Sequence, residues 1–139
     1  MRKDSLKDTV KIQHAHNEKE ALKVFTQLQT KGINKIISTL QDHQRIYLVL
    51  EMAEGLPLHK LLKTLGKLTE GMTKIIMSQI GLILKDIHAE GWVYRDVKAS
   101  NFLVDMKGAV TLVDLGLAKH IGKEGRATTL CGTTHSMAP

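Results

Sequence analysis

The chain is poor in several things, and each shortage closes off a class of protein. It holds one cysteine, Cys131, in 139 residues, so no internal disulfide can form. A lone thiol suits a reducing compartment, which places the expectation inside the cell, in the cytoplasm. No apolar run approaches the ~18 residues of a membrane-crossing helix, so no membrane partner is expected. Met1-Arg2-Lys3-Asp4 leads into no apolar stretch, which argues against a secretory signal. No segment repeats and no tract is of low complexity, so no linker is visible. A dense Lys/Arg block is also missing, although 20 Lys plus Arg against 14 Asp plus Glu leave a net charge of +6. That balance admits phosphorylated ligands, membrane surface or nucleic acid as partners. Without a basic tail, nucleic acid is not expected.

What remains is ordinary globular material, 42% hydrophobic and 24% charged, with room for one domain or part of a larger one. Between Gln13 and Gln29, Ala15, Ala21, Leu22, Phe25 and Leu28 recur at three- and four-residue steps, which predicts an amphipathic helix. Ile36–Leu40 and Ile46–Leu50 flank the polar turn Gln41–Arg45 and predict a β-hairpin. Glu51–Pro57 reads as a connector and Leu58–Leu65 as a short helix. Thr69 is a good N-cap for a longer helix, Glu70–Ala89, whose apolar residues cover most of its circumference and predict a central position. After Gly91 the period changes. Trp92-Val93, Phe102–Val104 and Ala109–Val113 predict short strands, the last two joined by the tight turn Asp105–Gly108. From Gly116 onward a loop is expected. The order of elements predicts an α+β fold rather than a doubly wound sheet.

Chemistry concentrates in Tyr94-Arg95-Asp96-Val97-Lys98-Ala99-Ser100-Asn101 and, thirteen residues after Asn101, in Asp114-Leu115-Gly116. Taken singly, Asp96, Lys98, Asn101 and Asp114 are common turn residues. Together, beside short apolar strands, they suit phosphoryl transfer. One carboxylate can orient a hydroxyl and accept its proton. A second carboxylate and an amide oxygen can hold Mg²⁺, and a lysine can balance phosphate charge.

On these residues the sequence resembles the eukaryotic serine/threonine protein kinases. Tyr94-Arg95-Asp96-x-Lys98-x-x-Asn101 is similar to their catalytic loop, and Asp114-Leu115-Gly116 to their metal-binding Asp-Phe-Gly element. Met137-Ala138-Pro139 resembles the start of the motif that closes the activation segment. Gln13-His14-x-x-Asn17-Glu18-Lys19 and Thr129-Leu130-Cys131-Gly132-Thr133 are similar to the C-helix and activation loop of the cyclic-nucleotide-dependent, AGC-type kinases. The resemblance implies a bilobal kinase fold, with a fragment here running from C-helix to activation segment. Residues 1–51 would be a remnant of the small lobe, 52–57 the hinge and 58–139 the first part of the large lobe.

It also implies roles. Asp96 would be the catalytic base, Lys98 would steady the transferred phosphate, and Asn101 with Asp114 would bind Mg²⁺. For ATP, Glu18 would pair with a lysine, Glu51 and Ala53 would offer backbone groups to adenine, Leu50 would be the gatekeeper, and Leu103 would pack under the ring. Leu22, Ile36, Tyr94 and Leu115 would form a spine. Thr129 would be the activation-loop phosphosite, its added charge of about −1.5 to −2 received by His14, Arg95 and Lys119. The partner would be a protein substrate or a second kinase.

Departures set limits. No Gly-rich loop and no strand lysine precede Glu18, and Lys3, Lys7 and Lys11 lie on the approach to the helix. Pro57 stands where the cyclic-nucleotide-dependent kinases have an acid contacting the ribose, and Ser100 replaces an acid that helps select basic substrates. The expected activity is therefore that of the complete domain, with ATP binding by these 139 residues open. The alternative is an inactive, pseudokinase-like binding or regulatory module. Either way, the hairpin would be left with an unpaired edge and stability would be marginal.

Overall fold

The computed structural model describes residues 9–122, 125, 127 and 131–133. The chain opens with α1 (Thr9–Gln27), followed by the strands β1 (Ile36–Gln41) and β2 (Ile46–Leu50). Next come β3 (Leu56–Pro57), α2 (Leu58–Leu65) and α3 (Glu70–Ala89). Four short strands complete it: β4 (Trp92–Val93), β5 (Phe102–Val104), β6 (Val110–Leu112) and β7 (Lys119–His120). The expected α+β fold is what the chain adopts.

Helix α1 starts four residues earlier than its apolar period suggested. Nothing between Thr9 and Gln13 breaks a helix, and the period appears only where α1 meets the core. There Ala21, Leu22 and Phe25 are fully buried. α2 and α3 keep their expected bounds. The Thr69 hydroxyl accepts from Met72 N at 3.2 Å, capping α3 as its residue type predicted.

One expectation for α3 fails. Ile76, Ile80, Ile83 and Ile87 form a single buried stripe, while Ile75, Met77 and Leu82 on the other side are more than half exposed. Helix α3 therefore buries one face fully and leaves the other only partly covered by the described residues.

Strands β1 and β2 form an antiparallel two-stranded sheet, as expected. Its turn is held by Asp42, whose Oδ1 accepts from Gln44 N (2.7 Å) and Arg45 N (2.6 Å). Two strands went unread in the sequence. β3, within the presumed connector, pairs with β5 (Leu56 opposite Val104), and β7, within the presumed loop, pairs with β4 (Trp92 opposite His120). Each is two residues long, and its partner is distant in sequence.

The three-stranded sheet β3-β5-β6 is the frame of the molecule. Gly55 leads into it with φ +111°, and a Cβ there would collide with the Val104 carbonyl. At the other edge Leu112 N donates to Gly32 O (2.7 Å) and Asn34 N to Leu112 O (2.9 Å), so the segment after α1 is stitched to β6. From α3, Gln79 donates to Gly108 O (2.8 Å) and accepts from Val110 N (3.0 Å), clamping the β5–β6 turn. The turn itself is the expected one, with Asp105 Oδ1 accepting from Lys107 N and Ala109 N, each at 2.8 Å.

Candidate active site

The segment 94–101 hangs between β4 and β5, the two sheets anchoring its ends. Tyr94 enters the core, 1% exposed, with its ring edge-on to Phe102. Its hydroxyl accepts from Asn101 Nδ2 at 2.7 Å. The same amide donates to Asp96 O (3.1 Å) and Asp96 Oδ2 (2.9 Å). Asn101 is thus a buried staple that closes the loop on itself, and Val113 N donates to its carbonyl at 3.0 Å.

Asp96 is 7% exposed and fully engaged. Lys98 Nζ lies 2.7 Å from Oδ2, and the Thr133 hydroxyl donates to Oδ1 at 2.8 Å. Lys98 also donates to Thr133 Oγ1 at 3.3 Å. Burial pushes the Asp96 carboxyl up, but the hydrogen bonds from Lys98, Thr133 and Asn101 outweigh it and hold the group below the usual aspartate range. At neutral pH Asp96 is an anion ready to accept a proton donor. Burial pushes the Tyr94 phenol well above its usual range, so it stays neutral.

The structure therefore brings Asp96, Lys98 and Asn101 together. Thr133 joins them, a role that sequence reasoning missed. The residue sat in the quoted activation-loop stretch, but nothing local to it announced a contact across 37 positions.

Asp114 is exposed, and its Oδ1 accepts from Gly116 N at 2.8 Å. Glu18 approaches the same turn from α1. A Cβ on Gly116 would sit 3.1 Å from Asp114 Oδ1 and 3.9 Å from Glu18 Oε2. Burial, and next the neighbouring Asp114 charge, push the Glu18 carboxyl up. No ion pair joins Glu18 to a cation among the described residues. It borders a 340 Å³ concavity that it shares with Ile46, Tyr47, Leu48 and Leu50.

The donor set fits a hard cation in one respect. The Asn101 amide commits its nitrogen to three acceptors, which leaves Oδ1 as its ligand end, with only Ser100 Oγ near it at 3.4 Å. One amide oxygen and one exposed carboxylate suit Mg²⁺, which keeps water and phosphate oxygens for its remaining positions. Among the described residues no cluster of three His, Cys, Asp or Glu forms a closed metal cage.

The remaining candidates are spread around this centre. Leu50 and Ala53 are half-buried, and Glu51 N donates to Lys35 O at 2.9 Å. Leu103 faces Pro57 and Thr111 in the sheet. Leu22, Tyr94 and Leu115 are buried in one core, and Ile36 packs against it. Arg95 has φ +68°, a strained position for an arginine. Its Nε donates to Leu117 O at 2.9 Å, while Nη1 is buried without a partner among the described residues. His14 and Lys119 are half-buried on α1 and β7. Thr129 and Met137-Ala138-Pro139 lie outside the described residues.

The protein kinase domain pattern matches residues 1–139. The chain belongs to the protein kinase family. Among curated relatives, this kinase-family chain is 32% identical over 139 residues to cGMP-dependent protein kinase 2 of Homo sapiens, covering all of this chain and 18% of that protein. A serine/threonine-protein kinase of Arabidopsis thaliana is 33% identical over 139 residues, all of this chain and 29% of the plant protein. A cAMP-dependent protein kinase catalytic subunit-like protein of Caenorhabditis briggsae is 32% identical over 132 residues, 95% of this chain and 33% of that one. The chain thus spans a third or less of the relatives it matches. These matches bear out the resemblance to AGC-type serine/threonine kinases, and nothing in them favours an inactive binding module.

Proposed function

We propose that the chain carries the catalytic loop of a serine/threonine protein kinase, whose activity is transfer of the ATP γ-phosphoryl group to a protein hydroxyl. The observation that supports this best is the closed network of Asp96, Lys98 and Asn101, in which Asp96 Oδ1 already takes a hydrogen bond from an alcohol, Thr133, at 2.8 Å. An acceptor serine or threonine would present the same donor to the same carboxylate. Asp96 orients that hydroxyl and takes its proton. Lys98, within reach of Asp96, steadies the charge on the transferred group. Asn101 and Asp114 would hold Mg²⁺. Bound ATP and Mg²⁺ supply the phosphoryl group and the neutralisation of its charge.

Adenine would lie against Leu103, with the backbone of Glu51 and Ala53 at its edge, Leu50 behind it and residues 52–57 as the hinge. Thr129 is the proposed phosphosite. Arg95 Nη1, buried and unpartnered among the described residues, supports a phosphate receiver for it, completed by His14 and Lys119. A protein substrate follows from this reading. No helix among the described residues is long and apolar enough to cross a membrane.

The test is thermal stability of the chain with ATP, with and without Mg²⁺, alongside phosphate transfer to a serine peptide. The expected result is a Mg²⁺-dependent rise in Tm that Asp114→Ala removes. Transfer should fall by about 10²–10⁴-fold in Asp96→Asn. A rise that survives Asp114→Ala, or no rise at all, overturns the reading for these residues.

A further inference from the structure

One flank of the loop carries charge that the chemistry above does not use. Residues 55–69 contain no Asp or Glu but do contain His59, Lys60, Lys63 and Lys67. All four are exposed. None of the three lysines forms an ion pair among the described residues, where the paired lysines are Lys23, Lys74 and Lys98.

This flank is tied to the site. His59 N donates to Ala99 O at 3.2 Å, fastening the first turn of α2 to the loop between Lys98 and Ser100. β3, which leads directly into α2, is paired to β5 just beyond Asn101. The first turn of α2 and the mouth of the catalytic loop are therefore one continuous surface.

On the loop side that surface is neutral. Ser100 is exposed, and its hydroxyl turns to Asn101 Oδ1 at 3.4 Å. Nearby acids are few or occupied. Asp96 is held by Lys98, Asp105 Oδ1 accepts two backbone N–H groups, and Glu70 pairs with Lys74 at 2.6 Å. Glu51, Glu54 and Asp114 are exposed, but none belongs to the 55–69 stretch that carries the lysines, and Asp114 Oδ1 accepts from Gly116 N.

A peptide laid across the loop with its hydroxyl at Asp96 would pass Ser100 and the α2 cations. Positive side chains there would meet repulsion from the lysines and, within residues 55–69, no carboxylate. Negative ones would meet Lys60 and Lys63 without having to displace a partner.

We propose that the surface formed by Ser100 and the α2 lysines selects acceptor peptides bearing an anionic side chain, carboxylate or phosphate, close to the target hydroxyl. This substrate class rests on the kinase reading above. Lys60 and Lys63 are the specificity-determining residues, and neither takes part in the chemistry.

The experiment measures fluorescence anisotropy of four labelled peptides with the 139-residue chain at physiological salt. They share one serine-centred sequence, with flanking Glu, phosphoserine, Gln or Lys. A single-stranded oligonucleotide of equal charge serves as a fifth ligand. The Glu and phosphoserine peptides should bind about tenfold tighter than the Lys peptide, and their ratio tells carboxylate from phosphate. The double variant Lys60→Glu/Lys63→Glu, with its fold checked by circular dichroism, should erase that preference. Ser100→Glu should weaken it from the loop side.

Equal binding of all peptides, no binding of any, tighter binding of the Lys peptide, or a preference that survives the double variant overturns the proposal. Equal capture of the oligonucleotide through the same lysines overturns it too. Phosphate transfer in the same mixtures reports separately. Selective binding without transfer leaves the surface standing and counts against the kinase reading. Transfer that favours the Lys peptide does the reverse.

Discussion

Two antiparallel hairpins among the described residues share an aspartate-held turn and differ in what surrounds them. β1–β2 has strands of six and five residues, yet β1 is exposed over all but its first residue. β5–β6 has strands of three residues each, and both ends of both strands are buried. The longer hairpin makes more ladder bonds and less core. The shorter one is gripped by β3 on one edge, by the Gly32–Asn34 segment on the other and by Gln79 at its turn. Anchorage, not strand length, distinguishes them, and the candidate catalytic loop is attached to the anchored one.

The comparison can be broken first at its core. Leu112→Ala, at a fully buried site in β6, should cost about 2–5 kcal/mol in a urea denaturation. Leu40→Ala in β1, at a site 59% exposed, should stay within about 0.5 kcal/mol. Equal losses would mean that both hairpins contribute alike to the folded state.

A smaller effect lies in the turns. Gln79→Ala strands Val110 N and Gly108 O, and leaving partly buried groups unsatisfied should cost about 1–3 kcal/mol. Asp42→Ala removes the exposed bonds to Gln44 N, Arg45 N and the Tyr47 hydroxyl, where water replaces the carboxylate, and should cost about 1 kcal/mol or less. Hydrogen exchange at Val110 should speed up in the first variant and stay unchanged in the second.

The smallest effect sharpens the picture beside β2. Burial and Asp114 raise the Glu18 carboxyl in the folded state, so the fold binds that proton more tightly than the unfolded chain does. Ionised Glu18 therefore works against folding at neutral pH. Glu18→Gln should raise Tm there, and the gain should shrink as pH falls through the folded-state value of Glu18. A gain that is constant with pH would mean that charge is not its cause.

Features that close locally were legible in the sequence. α2 and α3 were bounded to the residue, because Thr69 caps the second helix and Gly66 and Gly91, both with φ +72°, end the two. The Asp105–Gly108 turn and the Asp96–Asn101 network likewise form within a few positions. What escaped notice depends on partners far along the chain. β3 and β7 are too short to carry a period, and each exists only because a distant strand receives it. The Thr133 contact with Asp96 and the Gln79 clamp span 37 and 31 positions, distances over which a single sequence carries no signal. The expected centrality of α3 failed for a related reason. Its apolar girth is real, but Ile75, Met77 and Leu82 remain more than half exposed in the described fold.

Gly55 has a consequence for how this protein can change over generations. Its α-hydrogen faces the backbone of Val104, and an added methyl group would stand 2.6 Å from the Val104 carbonyl carbon and 2.8 Å from Asp105 N. A flexible side chain could swing aside, but main chain cannot, so relief would have to come from β3 lifting off β5. Because β3 runs straight into α2, that displacement would carry the whole lysine-bearing flank with it. Drift at this one codon is therefore closed by sterics, a restriction that the exposed Lys60 and Lys63 do not share. Descendants of this chain can keep β3 paired with β5 only so long as the hydrogen at position 55 is left alone.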